Sequence, residues 1–147
     1  MRLLSPSPLV DLSYRPDLHI MVVRWLNTVE ETEAKRIYQA IEVAAEHHQC
    51  RFWLVDARRR PSFNPSVTKW VFEELAPTVA SRFGGALHLS YLVSPEHLAG
   101  AQDFWHTHVA PSGSALPYRL HYATDEGTAT EWLLQAQPMP ASGQQSA

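Results

Sequence analysis

The chain alternates short apolar runs with longer segments in which apolar residues recur at helical spacing. "LVDLSY" and "LHIMVVRWL" flank the turn "RPD" and predict a β-hairpin, with Pro16 fixing φ at a turn position. In the second run Leu18, Ile20 and Val22 alternate with His19, Met21, Val23 and Trp25, so both faces are largely apolar. That pattern predicts a strand inside the sheet, covered on two sides. "NTVEETEAKRIYQAIEVAAEHHQ" predicts the first helix. Thr28 followed by Glu31 reads as a capping box, and Ala34, Ile37, Tyr38, Ile41 and Ala45 form one apolar stripe. "RFWLV" then predicts a short buried strand.

Asn64-Pro65 marks a second helix start, a capping residue followed by proline at the first helical position. Val71, Leu75 and Val79 give this helix its inner face, Pro77 should kink or break it near Ala76, and Gly84-Gly85 end it. "ALHLSYLV" predicts a third apolar run. Ser94-Pro95-Glu96 repeats the cap-and-proline signature and opens a helix through "HLAGAQDFWHTHV". "YRLHYAT" predicts the last strand and "DEGTATEWLLQA" the last helix. The order β-β-α-β-α-β-α-β-α predicts an α/β domain with a mixed sheet of about five strands, a β-hairpin start and about four helices. One domain is expected over residues 1–136. The tail 137–147, rich in Pro, Ser and Gln, carries little apolar surface to bury and is expected to be disordered.

The hairpin, the helix after the "WLN" strand end, the "LVDAR" strand before a helix and a closing helix with Ala129, Trp132 and Leu133 resemble SpoIIAA-like and STAS-like proteins. Trp25 and Asp56 complete the set, and the nearest likeness is to uncharacterised bacterial members described as STAS/SEC14-like. The likeness spans roughly residues 8–135. It implies a SpoIIAA/STAS-like fold and a non-catalytic regulatory or protein-interaction module. A small-molecule or lipid-binding domain of SEC14-like topology is the alternative, and an enzyme ranks below both.

Composition narrows the chemistry. With 147 residues, 45% hydrophobic and 18% charged, the chain suits one globular domain. The net charge of −3 supplies no global basic field for nucleic acid, so none is expected as a partner. No apolar run approaches the roughly 20 residues of a membrane span. "MRLLSPSPLV" is too interrupted to read as a signal peptide, and the single cysteine, Cys50, excludes an internal disulfide; a cytoplasmic location is expected.

The stretch "VDARRRPSFNPS" carries the candidate site. Strand ends and helix starts of such sheets collect anions and partners, and Asp56, Arg58, Arg59, Arg60, Ser62, Asn64 and Ser66 fall there. The preferred structural reading has Asp56 tie down the loop, Asn64 cap the helix and the arginines stand in solvent. The functional reading makes the loop a docking surface for a protein partner, with a homodimer left open. SpoIIAA-like relatives carry a phosphorylatable serine at this helix start. Ser66 lies nearest that place and Ser62 next, but the serine-glycine signature is missing, so no phosphoswitch of that type is expected. The eight histidines show no metal-ligand spacing, and no cofactor or metal is expected. Cys50 reads as a small hydrophobe, and the tryptophans as core. The one catalytic set that can be named is Asp56, an arginine of the triplet, and His88 or His121.

Overall fold

A computed structural model describes residues 3, 5–59, 64–109 and 116–137. Arg60 and Ser62 of the candidate loop and residues 138–147 of the tail lie outside the described residues. Five strands form one sheet in the order β1-β2-β3-β4-β5: β1 (Val10–Arg15), β2 (Ile20–Trp25), β3 (Phe52–Asp56), β4 (Leu87–Leu92) and β5 (Tyr118–Ala123). β1 pairs antiparallel with β2 through the hairpin, and every later pairing is parallel. The mixed α/β fold read from the sequence is the fold observed.

Each parallel crossover moves one strand further in the same direction, and such crossovers share one hand. Their helices therefore fall on one face of the sheet. These are α1 (Glu31–His47), the rod containing α2 (Pro65–Trp70) and α3 (Ala76–Phe83), and α4 (Pro95–Phe104). Strand alternation assigns this face to Met21, Val23, Trp25, Trp53, Val55, Leu89, Tyr91 and Tyr122. Trp25 meets Tyr38 of α1 at 5.3 Å between ring centroids, and Tyr91 meets Phe72 of the rod at 6.0 Å. The opposite face belongs to α5 (Glu126–Ala136): Ser90 Oγ donates to the Ala129 carbonyl at 3.0 Å, and Leu133 is fully buried. Cover on both faces explains why all five residues of β3 are buried.

Two local predictions need correction or refinement. The Thr28–Glu31 capping box does not form, because α1 begins only at Glu31 with Glu30 as its cap residue and no side-chain cap bond. The Thr28 amide is taken instead by Asn27 Oδ1 at 2.8 Å. Pro77, which cannot donate a backbone hydrogen bond, interrupts its helix as expected. The interruption takes the form of a π-helical stretch, Val71–Leu75, with α3 restarting at Ala76. A second π-helical stretch, Trp105–Val109, extends α4. Gly84 closes α3 in the left-handed conformation at φ 66°, a place that favours glycine.

Candidate functional site

The first cluster surrounds Asp56, the last residue of β3. Its carboxylate accepts from Arg24 Nη1 at 2.9 Å, and from the Arg58 amide, Nε and Nη2 at 3.1, 3.0 and 2.9 Å. Arg24 in turn spans to Glu126 at the start of α5, which also lies 3.5 Å from Arg58. Burial pushes the Asp56 carboxyl up, but its bonds from Arg58 and Arg24 outweigh that and hold it below the ordinary carboxylate value. Glu126 is lowered chiefly by its contact with Arg24. Asp56 is thus an internal counter-ion, and Arg58 is committed to it. Of the remaining loop residues, Asn64 Oδ1 accepts from the Ser66 and Val67 amides at 2.9 and 3.3 Å and caps α2, while Arg59 and Ser66 are exposed.

The second feature is a cavity of about 60 Å3 between the helical face of the sheet, the first turns of the rod, and α4. Its walls include Tyr38, Val67, Thr68, Val71, Phe72, Tyr91, His97, Ala101, Phe104 and Tyr122, with Ala57 and Val93 at the ends of β3 and β4. A sheet wound in one direction has no topological switch point to open a crevice. Here the space lies between α2, α4 and the carboxyl ends of β3, β4 and β5. The π-helical stretch supplies Val71 and Phe72 to the wall, and such stretches are frequent at functional sites. Polar groups are few: the tyrosine and threonine hydroxyls, and His97, whose Nδ1 shares a 2.9 Å hydrogen bond with Ser94 Oγ. Burial pushes the Tyr122 phenol up, so it stays protonated and able to donate.

The other candidates come apart in space. His88 and His121 do not meet; both pack against Trp132 of α5, with ring centroids 5.9 and 5.1 Å from it. His88 pairs in register with Phe52, four residues before Asp56, so about 13 Å of strand separates it from that carboxylate. The set of Asp56, arginine and histidine therefore does not converge. Burial pushes the Cys50 thiol up to about 11, fitting a packed small residue rather than a thiolate. Among the described residues no three His, Cys, Asp or Glu come together to hold a metal ion, and no helix is long and apolar enough to cross a membrane.

Sequence reading missed the cavity walls because tyrosine and phenylalanine at core spacing look like core. A signal was available: Tyr91 and Tyr122 are each the penultimate residue of a parallel strand, the end where this architecture binds ligands. No family model, curated protein or solved structure matches the chain.

Proposed function

We propose that the domain is a non-catalytic binding module, of the kind a regulatory protein uses, whose ligand is a small molecule received in the cavity under α2 and α4. One observation carries this: an apolar, aromatic-walled space with a few convergent hydroxyls lies at the carboxyl ends of three parallel strands. The element order keeps SpoIIAA/STAS-like proteins as the frame for this reading. Size limits the ligand. A cavity of about 150 Å3 holds benzene, so about 60 Å3 takes roughly two or three non-hydrogen atoms. At a ceiling near −1.5 kcal/mol per atom, such a fragment binds no more tightly than about 0.5 mM.

The experiment is a titration with ethanol, followed through the ring resonances of Phe72, Tyr91 and Tyr122. Saturable shifts are expected, and they should vanish in Ala101→Leu, which fills the cavity. Absence of any saturable shift on those rings would dismiss the reading.

Docking of a protein partner at the 56–66 loop is the second reading, favoured by the exposed Arg59 and Ser66 beside the capped start of α2. Because Arg58 anchors Asp56, Arg59→Ala is the informative variant. Equal partner recovery by wild type and Arg59→Ala in a pull-down would remove this reading.

A further inference from the structure

The cavity is too small to hold a whole ligand of useful affinity, and what lies next to it indicates where the rest goes. An open cleft of about 720 Å3 runs beside β5, walled by Gln102, Trp105, His106, Tyr118, Arg119 and Tyr122 among others. Tyr122 lines both spaces. The last turn of α4 does likewise: Ala101 and Phe104 face the cavity, while Gln102 and the following Trp105 face the cleft. Among the described residues, Tyr122 and this turn of α4 are what the two spaces share. Trp105 Nε1 donates to the Tyr118 hydroxyl at 3.0 Å and holds the cleft wall in place.

The cleft differs from the cavity in charge. Among the described residues that line it, Arg119 is the one formally charged, and none is a carboxylate. Its Nη1 is held by the Leu116 and Tyr118 carbonyls at 2.9 and 3.1 Å. Nε and Nη2 make no hydrogen bond with the described residues, leaving two donors of a planar fork whose position is already fixed. A carboxylate matches that fork.

We infer that the ligand is an organic carboxylate with a short branched apolar end: the apolar end enters the cavity past Tyr122, and the carboxylate lies in the cleft on Arg119. This inference rests on the binding reading of the cavity. The probe pair is 6-methylheptanoate and its neutral counterpart 6-methylheptanamide, titrated calorimetrically and followed on the Phe72 and Tyr91 rings. Wild type should bind the acid at least about tenfold more tightly than the amide. Arg119→Gln should bring the two to parity while leaving the amide unchanged. Arg119→Lys, which keeps the charge but not the fork, should fall between. Circular dichroism checks that each variant is folded. Equal binding of acid and amide by wild type, or an acid preference that survives in Arg119→Gln, overturns the carboxylate assignment. If ethanol still shifts the cavity rings in that case, the binding reading stands without it. If no probe shifts them, both fall.

Discussion

Arg24 in β2 and Glu126 at the start of α5 meet through two parallel hydrogen bonds, 2.9 and 3.0 Å, across 102 residues of sequence. Arg24 Nη1 also reaches Asp56. One guanidinium therefore ties the carboxyl ends of two neighbouring strands to the helix that closes the opposite face. An acid in the first turn of α5 also complements the helix dipole.

Removing Arg24 leaves Asp56, only 7% exposed, with Arg58 as its remaining counter-ion. Arg24→Met should cost about 2 kcal/mol, below the full penalty for a buried pair because the Arg24 side chain is one-third exposed. Glu126 is more exposed, so Glu126→Gln should cost less than about 1 kcal/mol. Urea unfolding of the two variants orders them, and equal losses would contradict this account.

Acid should loosen the packing of α5. Burial lowers both His88 and His121 from an ordinary value of 6.5; Arg51 and Arg119 lower His88 further, against a bond to the Ala86 carbonyl. Each folded pKa lies below the unfolded one, so the unfolded chain binds protons first. The stabilisation is complete above about pH 6.5 and is lost as pH falls toward the folded values. His121→Phe keeps the stacking on Trp132 but cannot titrate. Its thermal midpoint should fall less than that of wild type between about pH 6.5 and 5. Parallel decline of the two would exclude His121 as a contributor.

Asn64 supplies the cap of a helix broken after six residues. Asn64→Ala should lose about 1 kcal/mol, and Asn64→Ser should restore most of it. Chemical denaturation reads both; no loss in the alanine variant would mean that Pro65 alone sets the start.

Cys50 is fully buried, with its sulfur directed at the His19 and Phe52 carbonyls at 3.5 and 3.4 Å. An aromatic disulfide reagent should modify it only as fast as the chain opens, and at once in denaturant. Prompt reaction of the native protein would place the thiol elsewhere.

Much of the fold was legible in local pattern. The two-sided apolar runs of β2 and β3, the proline-led helix starts at Pro65 and Pro95, and the glycine stop after Phe83 all follow from side-chain and backbone preferences that act over a few residues. Thr28–Glu31 shows where local pattern stops. The spacing was right, yet the chain enters the helix two residues later, with Glu30 as the cap residue, and Asn27 takes the amide.

The candidate loop divides the same way. Asn64 could be assigned from its neighbours, because a cap acts within three residues. The fate of Asp56 and Arg58 depended on Arg24 and Glu126, which strand order and the placement of α5 bring to them. The sequence by itself determined the elements, their order and the mixed, mostly parallel sheet. Only the tertiary structure decided which tyrosines wall a space and which fill the core. Both occupy the same alternating positions on a strand, and the difference lies in what the helices above them leave open.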